Sequence, residues 1–233
     1  MEFGGPDIDD LSPGDFARST SNRRPPRRGS PGPLALVFLV QSTLVAVAWL
    51  LGLLLKDSPR PGLALNAGVM RDGMIATVPL LMGLWVLMVV SWQPIRRLRS
   101  QSIAFLGPLF QTQHWGALIL VAALAGFGEE LLFRGTIQPL STRWLSQSFA
   151  SQLGGWGSAL LGNVVTSLIF AALHGVSRAY FALAFMISLY FGWISQRTNQ
   201  LVPVMLAHGI YDLVALWALV RAYRGSPRHS LND

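Results

Sequence analysis

The sequence predicts an all-α protein, a polytopic bundle of about six transmembrane helices around a polar intramembrane active-site cavity. Of its 233 residues, 52% are hydrophobic and only 12% are charged, whereas soluble domains carry roughly 25% charged residues. The apolar residues form runs close to the length of about 20 residues that a spanning helix requires. Ionisable residues nevertheless occur inside three of these runs. An ionised group in lipid costs at least about 2.5 kcal/mol, so it persists where it faces a protein interior or a water-filled cavity.

The chain divides into a tail, a membrane domain and a second, short tail. Residues 1–33 are rich in Pro, Gly, Ser, Asp and Arg, a composition that predicts a disordered cytoplasmic tail. A transmembrane helical domain is predicted over 34–224 and a short C-terminal tail over 225–233. The six predicted spans are 34–55, 74–92, 115–140, 156–174, 179–196 and 201–220. Seven or eight spans are left open, because 101–114 or 142–153 could also enter the membrane. The first two spans carry no distinguishing motif.

The third predicted span contains three glycines and a proline that could interrupt it. Gly126, Gly128 or Gly135 could break the helix, and Pro139 is expected to end it, because proline removes a helix donor and its ring clashes with the preceding turn.

Basic residues outside the spans predict the orientation. The larger group lies on the side of the N-terminus: Arg18, Arg23, Arg24, Arg27, Arg28, Arg96, Arg97, Arg99, Arg178, Arg221, Arg224 and Arg228. The smaller group lies on the other side: Lys56, Arg60, Arg71, Arg143 and Arg197. Because cytoplasmic loops carry the excess of Lys and Arg, an integral multi-pass protein with both termini in the cytoplasm is predicted.

The net charge and the absence of cysteine limit the partners and the chemical groups that the protein can use. A net charge of +7 would suggest nucleic acid in a soluble protein, but here the basic residues cluster at the ends of apolar runs, so lipid headgroups and topology explain them better. A bilayer partner is therefore expected, and nucleic acid is not. The chain has no cysteine, which excludes disulfides, a thiol nucleophile and cysteine-ligated metal.

The most informative segment is the run from Glu129 to Arg134, which follows an uncharged apolar stretch. Glu130 and Arg134 are four residues apart, so they lie on one helix face and can pair. Glu129 is rotated from Glu130 by about 100°. One carboxylate can therefore be neutralised by the arginine, while the other can face a cavity.

Two further polar positions lie on later spans. His174 follows Phe170 by four residues, and Asp212 follows His208 by four, so the last two share a helix face and can hydrogen-bond. A glutamate base together with two imidazoles is sufficient to activate water and to stabilise a transition state.

These motifs, taken in order, resemble those of a known family. The pattern Glu-Glu-x-x-x-Arg, then Phe-x-x-x-His, then His-x-x-x-Asn or Asp, each on a membrane helix, is similar to that of the CPBP family. That family of CAAX proteases and bacteriocin-processing enzymes, also called Abi, includes the Ras-converting CAAX endopeptidase. The resemblance covers a core of about 115–219.

The resemblance implies an intramembrane glutamate protease that hydrolyses a peptide bond without a metal or another cofactor. Glu129 would act with His174 to position and deprotonate water, and His208 with Asp212 would stabilise the oxyanion. Arg134 would orient the glutamates, Glu130 included. The implied substrate is a peptide or protein, and whether it is membrane-associated or prenylated is left open.

One position departs from the common form of the family pattern. Much of the family has Asn where this chain has Asp212. An Asn side chain can donate a hydrogen bond to an oxyanion, whereas an ionised Asp cannot and would repel it. Asp212 is therefore expected to orient His208 and hold it protonated.

Three alternatives to a metal-free protease follow from the same residues. A non-proteolytic membrane scaffold, chaperone or immunity factor could retain the polar core. A zinc protease could use Glu129, His174, His208 and Asp212 as ligands, although the sequence has no His-Glu-x-x-His motif. A transporter could also use intramembrane carboxylates, but no repeated half is visible.

Overall fold

Every regular element that the structure describes is helical, as the sequence predicts. The structure is a computed structural model that describes residues 32–54 and 62–225. The helices in chain order are α1 Pro33–Leu54, α2 Ala67–Val89, α3 Gln93–Phe110, α4 Trp115–Leu132, a π-helical turn Phe133–Ile137, α5 Gln138–Ser148, α6 Ala150–Leu173, α7 Arg178–Thr198 and α8 Val202–Arg224. The predicted tails lie outside the described residues, except for positions 32, 33 and 225.

Six of the helical segments are long and apolar enough to cross a membrane. They are α1, α2, the continuous segment Trp115–Ser148, α6, α7 and α8. Large apolar side chains point outward from them, including Leu53 at 72% and Trp85 at 65% exposure, as expected for helices that face lipid. The protein is therefore an integral multi-pass membrane protein. No seventh or eighth span is found in the described part of the chain, because α3 is helical but too polar to qualify.

The second predicted span begins earlier than the apolar pattern suggests. Helix α2 begins at Ala67 rather than at 74, because the Asn66 side chain accepts a hydrogen bond from the Val69 backbone N–H at 3.0 Å and caps the first turn. Its first two turns include the polar residues Arg71 and Asp72, which a hydropathy criterion excludes. In α6 the backbone is kinked at Gly154, whose φ is +62°, so residues 150–153 are set apart from the continuous helix that follows, close to the predicted start at 156.

The prediction that Pro139 ends the third span is wrong. The helical segment runs on to Ser148, and of the three glycines only Gly135 lies in its interruption, the π-helical turn. In that turn the Gln138 N–H donates to the Phe133 carbonyl five residues earlier. A wider turn directly before Pro139 accommodates a residue that has no N–H and whose ring would press on the preceding turn of an α-helix.

Helix α4 lies against both α1 and α8, and glycines allow the close contact. A Cβ atom at Gly126 would lie 2.6 Å from the Met205 carbonyl oxygen and 2.9 Å from the Gly209 nitrogen. The backbones of α4 and α8 therefore touch at this level. Gly128 faces Gln41 of α1 in the same way. The two contacts bring the end of α4 against polar side chains of both neighbouring helices.

The first and last helices meet at the same end of the bundle. Leu34 of α1 packs against a cluster that includes Leu118 and Val220. At the same end the Arg224 guanidinium donates to the Gln111 carbonyl oxygen, with Nε at 2.9 Å. The start of α1 and the end of α8 therefore lie at one end of the described bundle.

Candidate active site

The site is organised around a fully buried ion pair between α4 and the π-helical turn. Glu130 and Arg134 side chains have no solvent exposure, and Arg134 Nη1 lies 3.0 Å from Glu130 Oε1. The pairing expected from their spacing is therefore confirmed. Arg134 Nη2 also donates to the carbonyl oxygen of Ser188 at 2.9 Å and to its hydroxyl at 2.7 Å. The arginine thus joins α4 to the middle of α7.

Aromatic rings surround the Arg134 guanidinium. Its carbon lies 5.1 Å from the ring centre of Phe170, 5.4 Å from that of Phe191 and 5.9 Å from that of Phe133. A cation over the face of a ring is attracted by the ring quadrupole. The rings therefore replace water around a charge that is buried from solvent.

Glu129 projects from the same helix end in another direction and meets three helices. Its Oε1 accepts a hydrogen bond at 3.0 Å from the Gln41 amide of α1. Its Oε2 lies 3.7 Å from His174 Nε2 and 4.0 Å from His208 Nε2. The expected approach of Glu129 to His174 is therefore confirmed, and the carboxylate stands between both imidazoles.

The hydrogen bonds of His174 define how its ring faces Glu129. His174 caps the C-terminal end of α6, and its Nδ1 lies 2.8 Å from the Phe170 carbonyl oxygen. A carbonyl oxygen only accepts, so Nδ1 carries the hydrogen and, in the neutral ring, Nε2 presents a lone pair. The ring also stacks on Phe170 at 4.2 Å between centres. Phe170 therefore fixes both the position and the tautomer of this imidazole.

His208 contacts carboxylates with both ring nitrogens. Its Nδ1 lies 2.7 Å from Glu130 Oε1, and its Nε2 lies 3.3 Å from Asp212 Oδ2. Each nitrogen needs an N–H to hydrogen-bond an ionised carboxylate, so this arrangement suits the doubly protonated ring. The ring stacks on Phe191 at 5.0 Å. The predicted contact of His208 with Asp212 is present, and Glu130 is a second partner that the spacing did not predict.

A cavity of about 240 Å³ opens beside these groups. Glu129, His174, His208 and Asp212 line it, together with apolar side chains of α2, α3, α7 and α8. Glu129 is 12% exposed and Asp212 is 28% exposed, whereas Glu130 is not exposed at all. The two adjacent glutamates therefore differ as the helical rotation predicts, with one facing the cavity and the other buried in an ion pair.

Sequence reasoning missed three residues that hold the predicted ones in place. Gln41, Ser188 and Phe191 contact Glu129, Arg134 and His208 respectively. The signal for Gln41 was its position inside an apolar span that is otherwise poor in hydrogen-bonding side chains. Ser188 and Phe191 are residues of common types in a membrane helix, and only their contacts in the folded structure identify them as part of the site.

The described residues contain no group of three or more His, Cys, Asp or Glu side chains that could hold a metal ion. In the candidate site a carboxylate contacts an imidazole directly, since Glu130 Oε1 lies 2.7 Å from His208 Nδ1.

The fold and the site define a class: a polytopic helical membrane protein with a buried carboxylate–imidazole centre. Residues 111–214, just under half of the chain, match a family model described as type II CAAX prenyl endopeptidase Rce1-like. The matched segment contains every predicted site residue. It supports assignment of the chain to the CPBP family of CAAX proteases and, at the level of that family, a CAAX-type intramembrane protease. Searches of curated proteins and of solved structures gave no match.

Proposed function

We propose that the protein is an intramembrane endopeptidase in which Glu129 and His174 activate water for hydrolysis of a peptide bond. The observation that supports this most directly is the 3.7 Å separation of Glu129 Oε2 and His174 Nε2 at the wall of the cavity. Hydrogen bonds of about 2.8 Å from one water to both atoms place that water beside the line joining them. Such a water has its oxygen free to face a substrate in the cavity.

The proposed reaction balances protons between the water and the leaving amine. The water oxygen bonds to the scissile carbonyl carbon while Glu129 Oε2 accepts its proton, with His174 Nε2 holding the water in position. The carbonyl oxygen becomes an oxyanion. When the tetrahedral intermediate collapses, the C–N bond breaks and Glu129 returns the proton to the amine. Each protein side chain ends the cycle in its starting protonation state.

His208 is the proposed oxyanion-stabilising group. Its ring, doubly protonated between Glu130 and Asp212, carries a positive charge beside the cavity, and charge placed in advance where the oxyanion develops lowers the barrier. The buried Glu130–Arg134 pair is the proposed positioning unit, since Glu130 holds Nδ1 of His208 while Arg134 holds Glu130.

The proposed substrate is a peptide or protein reached from the membrane, of the CAAX type that the family description names. A prenylated peptide is the natural probe, because most of the residues that line the cavity are apolar and would suit a prenyl chain. The same peptide without the prenyl group separates CAAX-type recognition from general peptide cleavage.

The test is Glu129→Gln, assayed with purified protein in lipid vesicles and the prenylated probe peptide. The change keeps size and removes the base, so cleavage should fall by about 10² to 10⁴-fold while thermal stability stays close to that of the wild type. Asp72→Asn is the matched control, because it makes the same chemical change on an exposed carboxylate paired with Arg71 on α2.

A second variant tests whether the two groups act on one water. His174→Ala should lose activity to a similar degree, and combining it with Glu129→Gln should add little, because residues that act as one unit are not additive. A cellular activity that survives Glu129→Gln unchanged would contradict the protease and favour the scaffold.

We also propose that both termini are cytoplasmic. The first and last helices meet at one end of the bundle, and Arg221 and Arg224, which belong to the predicted basic excess, lie in the last turn of α8 at that end. The chain has no cysteine, so single cysteines can report sidedness. In sealed vesicles of known orientation, an impermeant thiol reagent should label Ser230→Cys only from the cytoplasmic face and Ser58→Cys only from the other. Labelling of both from one face would contradict the proposal.

A further inference from the structure

The oxyanion side of the site has fewer hydrogen-bond donors than its chemistry requires. Asp212 contacts His208 at 3.3 Å through Oδ2, and a carboxylate offers only acceptors when ionised. His208 Nδ1 is already engaged by Glu130 at 2.7 Å. Among Glu130, His208 and Asp212, that leaves the Nε2–H of His208, which Asp212 also attracts, as the donor for an oxyanion. Sites of this kind gain from a second donor aimed at the developing charge.

Two phenols line the same cavity. Tyr180 lies in the first turn of α7, and Tyr211 precedes Asp212 on α8. Neither hydroxyl makes a hydrogen bond to another residue within the described parts of the chain, whereas the Tyr190 hydroxyl, outside the cavity, donates to the Ala76 carbonyl at 3.0 Å. The hydroxyl of a phenol in an apolar wall normally has a hydrogen-bond partner. These two hydroxyls are therefore available to a ligand in the cavity.

The surroundings of the two phenols distinguish them. Tyr180 lies in the first turn of α7, directly after the short turn that follows His174, and His174 Nε2 lies 3.7 Å from Glu129 Oε2. Tyr211 lies on α8 directly before Asp212. A scissile carbonyl attacked by water at Glu129 must lie between Glu129 and the His208–Asp212 pair. Both phenols line the cavity that holds this space, and Tyr180 is the one nearer in the chain to the Glu129–His174 pair.

We infer that Tyr180 is a further catalytic residue, whose hydroxyl donates a hydrogen bond to the oxyanion in place of the donor that Asp212 lacks. This inference rests on the proposed protease function. In the step concerned, the water oxygen bonds to the carbonyl carbon, the water proton passes to Glu129, and the carbonyl oxygen that takes the electron pair accepts from Tyr180 O–H and His208 Nε2–H. The phenol keeps its proton throughout and is unchanged at the end of the cycle.

The experiment uses Tyr180→Phe in the full-length protein in lipid vesicles, with the prenylated probe peptide. The change removes one oxygen and keeps the ring, so the fold and the cavity wall are preserved. Loss of one oxyanion donor typically lowers kcat by about 10² to 10³-fold, and KM should stay close to the wild-type value because the bond forms in the transition state. Tyr190→Phe is the control for loss of a phenol outside the cavity, and Tyr211→Phe is the comparison inside it.

Rescue by a second variant separates a donor from a structural phenol. The Asp212 carboxylate has no N–H to donate, and Asp212→Asn introduces an amide N–H at the same position. It should therefore raise kcat of Tyr180→Phe by a larger factor than it changes kcat of the wild type. A phenol that only supported Asp212 or the wall would show no such rescue.

The outcomes are distinct from those that test the protease itself. Loss of kcat in Tyr180→Phe with rescue by Asp212→Asn supports the inference. Full activity of Tyr180→Phe, or an equal loss in Tyr211→Phe, overturns it, and the protease stands as long as Glu129→Gln is inactive. An active Glu129→Gln enzyme overturns both.

Discussion

Replacing Arg134 by Ala should destabilise the protein as well as inactivate it. The side chain makes three hydrogen bonds, one to Glu130 and two to Ser188. Hydrogen bonds between membrane helices average about 0.6 kcal/mol each, so the direct loss is about 2 kcal/mol. The variant also leaves Glu130 buried at 0% exposure with His208 as its remaining partner. Removing one member of a buried ion pair costs about 3 to 5 kcal/mol, which sets the upper end of the expected loss.

The assay is unfolding in mixed detergent, followed by tryptophan fluorescence, with peptide cleavage measured on the same samples. Arg197→Ala is the control, because Arg197 is an exposed arginine at the end of α7. The double variant Glu130→Leu/Arg134→Met removes both charges, so it should regain much of the stability that the single variant loses. It should stay inactive, since His208 no longer has Glu130 as a partner.

Two results would refute this reasoning about Arg134. An Arg134→Ala protein that is fully stable but inactive would indicate an arginine that binds substrate rather than one that pairs with Glu130. A double variant as unstable as the single one would show that the unpaired carboxylate is not the cause of the instability.

Four further outcomes follow from the site and from the residues that support it. Gln41→Leu removes a hydrogen bond to Glu129 worth about 1 kcal/mol, so kcat should fall about fivefold; an unchanged or a wholly lost kcat would contradict the positioning role. Gly128→Ala should lower the yield of folded protein, because its Cβ would collide with Gln41, whereas Gly83→Ala, which meets nothing within 4 Å, should not; equal yields would contradict this packing. Asp212→Asn should remain an active protease, and chelators should leave the wild-type rate unchanged; inhibition by chelators would favour the zinc alternative.

The membrane spans were predictable because their pattern is local. Each apolar run is long enough to cross a bilayer, and the order of the runs fixes the number of crossings. The boundary at Ala67 was not predictable from hydropathy, since polar residues such as Arg71 and Asp72 are allowed near the end of a helix that begins outside the lipid. The continuation through Pro139 depended on a π-helical turn, which compensates for the missing donor and leaves no hydropathy signal.

Within the site, the sequence determined the contacts that helical spacing defines. The four-residue separation predicted the pairs Glu130 with Arg134 and His208 with Asp212, and the single step in rotation predicted that Glu129 would face elsewhere. Family resemblance supplied the expectation that His174 would meet Glu129, which spacing alone does not encode.

Only the tertiary structure decided which helix faces meet. Gln41 and Glu129 are separated by 88 positions, and His208 and Glu130 by 78. Lipid and the protein interior are both apolar, so hydrophobicity does not tell which side of a membrane helix faces inward. That choice is made by close packing, such as the contact of Gly126 with the α8 backbone. The sequence by itself therefore determined the helices and the local pairs, whereas packing decided that the two imidazoles and the two carboxylates form one centre.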